Sequence, residues 1–193
     1  MKTLIFGYGI TGKAVETFFK VKSKEYLIYD DNENVILDIK KELLFDDSQI
    51  DVIDEIVISP GINPSHKQIK NFETKNIITD IDLFSREFQG KFIGVTGTNG
   101  KTTFVNLLTD FLISKGINAV ACGNVGVSPL SINFEDKDFA IVELSSFQLY
   151  YASDVKADFG IFLNFHSDHL DWHKDEKEYK AVSYTHLRAH ETS

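Results

Sequence analysis

A glycine-rich stretch with a single lysine, T-G-T-N-G-K-T-T at residues 96–103, follows an apolar run. Glycines allow successive backbone N–H groups to surround a phosphate, the lysine can reach the outer phosphates of a nucleotide, and the next threonine hydroxyl can face Mg²⁺. The strict phosphate-loop pattern has a glycine at position 95, where this chain has Val95, so the loop is a variant. The pattern predicts a nucleotide phosphate site that uses Lys101 and Thr102.

Two polar residues stand just beyond other apolar runs. Residues 138–143 read D-F-A-I-V-E, and an apolar strand that delivers Glu143 at its carboxyl end has the geometry of a Mg²⁺ ligand beside a phosphate loop. A carboxylate buried elsewhere in such a strand would be costly, which favours a functional role. Asn124 follows another run; it is a candidate for substrate binding and equally for a turn, which asparagine often forms.

A histidine-rich segment, N-F-H-S-D-H-L-D-W-H at residues 164–173, follows the last apolar run. Three histidines and two aspartates this close together suggest a zinc site. The segment has no cysteine and no H-E-x-x-H pattern, and a phosphate site rich in oxygen ligands favours magnesium. We therefore predict that one of these histidines assists a Mg²⁺ ion.

A second glycine loop, G-Y-G-I-T-G at residues 7–12, also lies between an apolar run and a helical pattern. It is typical of dinucleotide binding, because the glycines let a phosphate approach the helix N-terminus. Asp30, roughly 20 residues further on, is placed to bind a ribose hydroxyl. The loop by itself supports two interpretations, an NAD site and a tight turn without a ligand.

Short apolar runs alternate with segments of helical spacing along the chain. Continuous apolar character is typical of strands buried on both faces of a parallel sheet. The predicted strands are Lys2–Phe6, Tyr26–Tyr29, Glu55–Ile58, Lys91–Thr96, Ile117–Cys122, Phe139–Leu144 and Phe159–Leu163, and the predicted helices are Thr11–Lys22, Ser65–Phe72, Asp80–Phe88 and Lys101–Lys115. The alternation predicts an α/β fold with nucleotide sites at the carboxyl ends of the strands.

The wide spacing of the two glycine loops predicts two domains in series. We place a Rossmann-like domain at residues 1–89 and the first part of a P-loop-type, parallel-sheet ATPase domain at residues 90–180. Residues 181–193, A-V-S-Y-T-H-L-R-A-H-E-T-S, show little apolar periodicity, and we expect them to be a non-native tail. The second domain is therefore expected to be incomplete.

The composition, 42% hydrophobic and 25% charged over 193 residues, is typical of a globular protein. The formal net charge of −9 disfavours nucleic acid and anionic membranes as main partners, although local donors can still bind an anionic ligand. The single cysteine, Cys122, excludes an internal disulfide, and no run approaches the ~18 apolar residues of a membrane span. We expect a cytoplasmic protein.

Several motifs resemble, in their order along the chain, those of the Mur ligase family. They are T-G-T-N-G-K-T-T, G-N-V-G at 123–126, E-L-S-S-F-Q-L at 143–149 and N-x-x-x-D-H-L-D at 164–171; S-P-G-I at 59–62 and D-I-D-L-F at 80–84 resemble the D-glutamate-adding member. The likeness covers residues 1 to 180. It implies a monomeric ATP-dependent carboxylate–amine ligase of peptidoglycan precursor synthesis, which joins D-glutamate to UDP-N-acetylmuramoyl-L-alanine through an acyl phosphate.

The resemblance also implies a role for each matching position. The UDP part of the substrate, and not NAD, would be held by Ile10, Thr11, Asp30 and Asp31. ATP would be bound by Gly97, Thr98, Asn99, Gly100, Lys101, Thr102 and Thr103, a first Mg²⁺ by Thr102 and Glu143, and a second by His169. Lys101, Glu143 and His169 are the implied catalytic residues. Asn124 would contact the muramoyl substrate, and Ser145 and Ser146 would line the phosphate site.

The chain departs from the family pattern near its end. Trp172 stands where the family usually has arginine after D-H-L-D, and the carbamylated lysine that bridges the metals would fall near Ser183, where there is no lysine. The family's third domain, which binds the incoming amino acid, is not in the sequence. We therefore expect the chain as written to be catalytically inactive, with its amino-acid specificity implied by the resemblance alone.

Three other functions compete with a ligase. A nicotinamide oxidoreductase would explain residues 7–12 but neither residues 96–103 nor Glu143. Another P-loop protein, such as a kinase or a GTPase, would leave the first domain unexplained. A non-catalytic nucleotide-binding fragment is the third alternative.

Overall fold

The computed structural model describes residues 1–124, 127–153 and 155–166. The chain divides into two compact units, Met1–Asp80 and Ile81–Ser193. Each unit contains a four-stranded sheet in which all paired strands are parallel. The predicted α/β fold with parallel sheets is therefore confirmed.

The first unit has a sheet with the strand order β2-β1-β3-β4. Its elements are strands β1 (Lys2–Phe6), β2 (Glu25–Tyr29), β3 (Glu55–Ile58) and β4 (Asn76–Ile78), helices α1 (Ile10–Val21) and α2 (Glu33–Leu37), and 3₁₀ helices at Lys41–Leu43, Asp47–Val52 and Lys67–Phe72. Central strand β1 is buried on both faces, as its unbroken apolar run requires. The chain order reverses between β1 and β3, so their carboxyl ends flank the crevice where such sheets bind ligands.

The second unit has the strand order β6-β7-β5-β8. Its elements are helix α3 (Asp80–Glu87), which begins at the junction, strand β5 (Lys91–Thr96), helix α4 (Lys101–Ser114), strand β6 (Ala119–Gly123), a 3₁₀ helix at Pro129–Ser131, strand β7 (Phe139–Glu143), helix α5 (Ser146–Tyr151) and strand β8 (Phe159–Phe162). Val105 of α4 packs with Val95 and Ile141 of the sheet in the apolar core. Val95 of β5 lies opposite Glu143 of β7. This register brings the end of β7 beside the loop that follows β5.

The structure corrects the sequence-based elements at a few places. The segment predicted as a helix at Ser65–Phe72 is a 3₁₀ helix at Lys67–Phe72. Strand β4 was not predicted, because three residues are too few for an apolar run to stand out. Helices α2 and α5, with only five and six residues, were not predicted either. These elements are held by the surrounding chain rather than by a periodicity of their own.

The two units divide after Asp80, whereas the sequence analysis placed the boundary near Gly90. The reason lies in the apolar face of α3. The ring of Phe84 is 5.8 Å from that of Phe92 on β5 and 5.2 Å from that of Phe134, measured between centroids. This aromatic packing attaches the helix to the second unit. The functions assigned to the two domains stay predictions.

Among the residues that the structure describes, no helix has both the length and the apolar character needed to cross a membrane.

Candidate active site

The loop between β5 and α4 has the backbone geometry of a phosphate-binding loop. Gly97 (φ 144°) and Gly100 (φ 82°) adopt conformations that favour glycine. Gly100 is the N-cap residue of the 14-residue helix α4. The first N–H groups of a helix have no acceptor within it, and the helix dipole favours an anion at this end. Of the predicted residues 97–103, residues 100–103 therefore form a helix N-terminus suited to phosphate, and residues 97–99 lead into it.

The side chain of Lys101 lies over this loop. Its Nζ atom donates hydrogen bonds to the carbonyl oxygens of Gly97, at 2.7 Å, and Thr98, at 3.1 Å. These two hydrogen bonds hold the ammonium group beside the backbone of the loop. A phosphate bound at the start of α4 would meet a positive charge that is already placed.

Glu143 is held by hydrogen bonds at both carboxylate oxygens. Thr102 Oγ1 donates to Oε2 at 2.7 Å, and Asn124 Nδ2 donates to Oε1 at 3.2 Å. The residue is only 2% exposed, so the orientation of the carboxylate is fixed by its surroundings. The structure thus brings together three residues that the sequence analysis singled out on separate segments.

The oxygen atoms of Thr102 and Glu143 fit a Mg²⁺ ion. This cation binds oxygen ligands, and in nucleotide sites it typically takes one or two protein ligands together with waters and phosphates. No group of three or more His, Cys, Asp or Glu side chains within the described ranges is arranged to hold a metal.

His169, the residue implied for a second Mg²⁺, lies outside the described residues. The same is true of Trp172, Ser183 and the segment 181–193.

Ser145 and Ser146 begin helix α5 beside the end of β5. The Oγ atom of Ser145 accepts a hydrogen bond from the N–H of Gln148 at 3.2 Å, and Gln148 Oε1 accepts one from the N–H of Ser145 at 3.0 Å. This reciprocal pair is a capping box. Ser146 is 6% exposed. The hydroxyl of Ser145 therefore serves the helix, and the role of both serines at the phosphate site stays a prediction.

Asn164, which the sequence analysis left without a role of its own, binds the phosphate loop. Its side chain makes hydrogen bonds to both backbone polar groups of Asn99. The two residues are 65 positions apart, so no local pattern connects them. Its place in the N-x-x-x-D-H-L-D motif was the one available signal.

The glycine loop of the first unit packs tightly on its own helix. A Cβ atom added to Gly12 would lie 2.2 Å from the carbonyl oxygen of Gly7, whereas one added to Gly9 would meet nothing within 4 Å. Gly7 has a φ of 92°. Gly12 is therefore required for close packing of the turn, and Gly9 leaves open space where a ligand can approach.

Asp30 organises the same loop. Its Oδ2 atom accepts a hydrogen bond from the N–H of Tyr8 at 2.6 Å, and its Oδ1 atom accepts one from the N–H of Asn32 at 2.8 Å. From the end of β3, Ser59 Oγ donates to the carbonyl of Gly7 at 2.8 Å. Ser59 belongs to the S-P-G-I motif, but the sequence analysis gave it no role at the site.

Ile10 and Thr11 occupy the first turn of α1. Ile10 is 76% exposed, and Thr11 is half-buried. Both are therefore accessible beside the open space at Gly9. Their predicted contact with the UDP part of a substrate stays a prediction.

Asp31 is held by two aromatic neighbours. Tyr29 donates from its hydroxyl to Oδ1 at 2.7 Å, and His66 Nε2 lies 2.5 Å from Oδ2. The hydrogen bond from Tyr29 is the main cause that lowers the pKa of Asp31; His66 adds to it, against the effect of partial burial. Burial and the bond to Asp31 raise the pKa of Tyr29 to about 12. The sequence analysis did not find His66 as a partner of Asp31.

Comparison with known proteins supports the motif-based assignment. Residues 95–187 match the family model described as the Mur ligase middle domain. Over 189 residues, 92% of this chain, the sequence is 37% identical to the UDP-N-acetylmuramoylalanine–D-glutamate ligase of Rickettsia prowazekii. The chain is thus similar to members of the Mur ligase family over most of its length. It is also similar to relatives of the same name from Rickettsia felis, at 40% identity over 92% of this chain, and from Aquifex aeolicus, at 33% over 95%.

These Mur ligase relatives are much longer than the chain. It spans 42% of the Rickettsia prowazekii protein, 41% of the Rickettsia felis protein and 43% of the Aquifex aeolicus protein. Among solved structures, the fold is similar to that of the UDP-N-acetylmuramate:L-alanyl-gamma-D-glutamyl-meso-diaminopimelate ligase from Neisseria meningitides. The TM-score is 0.58 at 18% identity, with 97% of this chain and 68% of that chain covered. At this identity the likeness supports the Mur ligase fold alone.

Proposed function

We propose that this chain supplies the UDP-binding and ATP-binding units of a ligase that joins D-glutamate to UDP-N-acetylmuramoyl-L-alanine. The observation that supports the proposal is the hydrogen-bonded pair of Thr102 and Glu143, whose oxygen atoms lie at the start of helix α4. The names of the relatives supply the substrate class. The active site is proposed to act in the cytoplasm.

In the second unit, the proposed ligand is the triphosphate of ATP. Residues 97–103 would bind it through the N-terminus of α4, and Lys101 would neutralise charge on the outer phosphates. Thr102 and Glu143 would hold Mg²⁺, with His169 assigned to a second ion on the resemblance alone. When bound, the metal neutralises the charge that develops on the transferred phosphoryl group.

In the first unit, the proposed ligand is the UDP part of the muramoyl substrate. Ile10 and Thr11 would contact it at the start of α1, where Gly9 leaves space for a diphosphate. Asp30 and Asp31 would bind the uridine end, and their existing hydrogen bonds would hold them in place. We assign Asn124, Ser145 and Ser146 to the muramoyl and phosphate groups.

The proposed reaction has two steps. The carboxylate of L-alanine attacks the γ-phosphorus of ATP, which gives an acyl phosphate and ADP. The amine of D-glutamate then attacks the acyl carbon, the C–O bond to phosphate breaks, and an amide forms as the amine loses a proton. Phosphoryl transfer needs little from a protein beyond positioning and charge neutralisation, which Lys101, Thr102 and Glu143 are placed to provide.

Binding calorimetry on the purified chain tests the proposal. We expect binding of Mg·ATP and separate binding of UDP-N-acetylmuramoyl-L-alanine, with neither ligand displaced by NADH or GTP. Lys101→Ala should weaken Mg·ATP at least tenfold, since it removes a charge-assisted contact. Lys115→Ala, at the other end of the same helix, is the matched control.

Two results would overturn the assignment. Tighter binding of NADH than of the muramoyl nucleotide would favour an oxidoreductase. Equal effects of the Lys101 and Lys115 substitutions on Mg·ATP would show that the loop is not the nucleotide site.

A further inference from the structure

Asn164 lies beside the phosphate loop, just after strand β8. Its Oδ1 atom accepts a hydrogen bond from the N–H of Asn99 at 3.0 Å, and its Nδ2 atom donates one to the carbonyl of Asn99 at 2.9 Å. Its own backbone carbonyl accepts a hydrogen bond from the N–H of Thr98 at 3.2 Å. One residue of the loop is thus bound on both of its backbone groups by a single amide side chain.

The chain after Asn164 adds a second connection. The N–H of His166 donates to Thr98 Oγ1 at 2.9 Å, and that hydroxyl is 3.2 Å from the His166 carbonyl oxygen. The space at Gly97 is closed on the same side: a Cβ atom there would lie 3.1 Å from both the nitrogen and the oxygen of the Asn164 backbone. Together these contacts fix residues 97–99 against the end of β8.

These contacts divide the loop into two parts with different tasks. The N–H groups of Thr98 and Asn99 are directed to Asn164, so in this arrangement they are engaged away from a phosphate. The N–H groups of residues 101–103 begin α4, where a helix offers donors that have no partner within it. An anion at this loop would therefore be bound by residues 101–103. Residues 98–99, held by Asn164, would determine where residues 101–103 lie.

We propose that Asn164 is a positioning residue for the nucleotide phosphates: it holds residues 98–99 so that the start of α4 and Lys101 face the β- and γ-phosphates. The inference rests on the proposed ATP site. Asn164 acts through the loop backbone and makes no contact with the nucleotide itself. Its loss releases the loop, and the phosphate donors must then be ordered at the expense of binding energy.

The chain contains a matched control for this role. Asn118, before β6, also uses both ends of its amide: Nδ2 donates to the Asp136 carbonyl at 2.6 Å, and Oδ1 accepts from Lys137 Nζ at 2.8 Å. It lies at the amino end of its strand, away from the carboxyl ends where the phosphate loop is found. Asn118→Ala therefore removes a similar number of hydrogen bonds without touching the loop.

The experiment compares Asn164→Ala with Asn118→Ala in the full chain. Calorimetry measures affinity for Mg·ATP and for AMP, which lacks the β- and γ-phosphates, and NMR measures amide exchange at Thr98 and Asn99. For Asn164→Ala we expect about tenfold weaker Mg·ATP binding, little change for AMP and faster exchange at both amides. If Asn164 only stabilised the fold, Asn164→Ala and Asn118→Ala would each weaken the binding of Mg·ATP and of AMP to the same extent.

Asn164→Asp provides a second variant if the alanine variant unfolds below the assay temperature. Aspartate keeps the acceptor for the N–H of Asn99 and loses the donor to its carbonyl, so slower exchange than in Asn164→Ala is expected together with weakened Mg·ATP. Mg·ATP affinity within twofold of the Asn118→Ala value would overturn the inference. Failure of the wild-type chain to bind Mg·ATP would instead overturn the proposed ATP site, and the exchange data would still show whether Asn164 holds the loop.

Discussion

Thr102 Oγ1 donates a hydrogen bond to Glu143 Oε2 across 2.7 Å, and this contact joins the first turn of α4 to the end of β7. The two residues are 41 positions apart. Parallel pairing of β5 with β7 makes the contact possible, because it brings the carboxyl ends of both strands to the same edge. The first prediction tests whether this pair holds a metal ion.

Substituting Glu143→Gln should make nucleotide binding independent of magnesium. Glutamine keeps the size of the side chain but removes the charge that a divalent cation requires. We expect ATP affinity in the presence of Mg²⁺ to fall at least tenfold and affinity in EDTA to stay the same or rise, as measured by calorimetry. Glu135→Gln, on an exposed loop of the same unit, is the control. An unchanged magnesium dependence in Glu143→Gln would exclude Glu143 as a ligand.

The buried carboxylate of Glu16 should make the first unit sensitive to acid. It accepts hydrogen bonds from the hydroxyls of Tyr8, at 2.6 Å, and Tyr26, at 2.9 Å, and pairs with Lys20 at 2.9 Å. Burial alone would raise the pKa of Glu16, but these three partners outweigh it and lower the pKa. A lowered pKa stabilises the fold above the pKa of the unfolded chain, roughly 4.3, and this stabilisation is lost as pH falls through the folded value.

Glu16→Gln should therefore reduce the free energy of unfolding by about 1–3 kcal/mol near neutral pH, and the difference from wild type should shrink below roughly pH 4.

At high pH the tyrosine partners of Glu16 should lower the stability of the first unit as the pH rises. Burial and the hydrogen bond to Glu16 raise the pKa of Tyr26 to about 12, so its contribution is complete below the ordinary value of 10 and is lost between 10 and 12. Urea unfolding across pH measures both the acid and the alkaline dependence, with Glu25→Gln, at the exposed first residue of β2, as the control. A pH-independent difference would contradict the prediction.

The pKa of Asp31 should respond more to Tyr29 than to His66. The hydrogen bond from Tyr29 is the largest cause of its lowered pKa, with that from His66 a smaller one. We expect both Tyr29→Phe and His66→Gln to raise the pKa of Asp31, and the phenylalanine substitution to raise it further. Carboxyl ¹³C shifts followed through an acid titration give the value. The reverse order would mean that the ion pair with His66 governs this site.

Alanine should destabilise the first unit at Gly12 but not at Gly9. Gly12→Ala places a methyl group against the carbonyl of Gly7 and should destabilise the unit by about 1–3 kcal/mol. Gly9→Ala adds a methyl group to open space, at a φ of −79° that alanine tolerates, so the melting temperature should barely change. It should nevertheless weaken UDP binding, because the methyl group occupies the approach to the loop. Unchanged UDP affinity in Gly9→Ala would place the diphosphate elsewhere.

The sequence predicted those parts of the molecule whose signal is local. The apolar runs of β1, β5 and β7 predict buried strands, because a strand covered on both faces can hold few polar residues. The positions of residues 97–103 and of Glu143 are predictable for the same reason: the loop follows β5 directly, and Glu143 is the last residue of β7. The motifs at residues 7–12 alone fitted NAD as well as UDP, since the glycines describe a turn and not the ligand.

The remaining parts depend on contacts between distant segments. Nothing near Asn164 indicates that its amide will bind Asn99, and nothing near Glu16 indicates two tyrosine partners. The boundary after Asp80 depends on the packing of Phe84, on α3, against Phe92 of the second unit. Such pairings follow from the tertiary arrangement, which one-dimensional periodicity does not encode.

The contacts between Asn164 and Asn99 also set an order of events in folding. They close a loop of 65 residues, and β8 must pair with β5 before the amide can reach its partner. Closing so long a segment is entropically slow compared with forming α4. During synthesis, helix α4 can form as soon as its own residues have emerged, but the turn before it reaches its final shape only after residue 164 has left the ribosome. The loop proposed to bind the nucleotide is therefore completed late, after the sheet of the second unit has assembled.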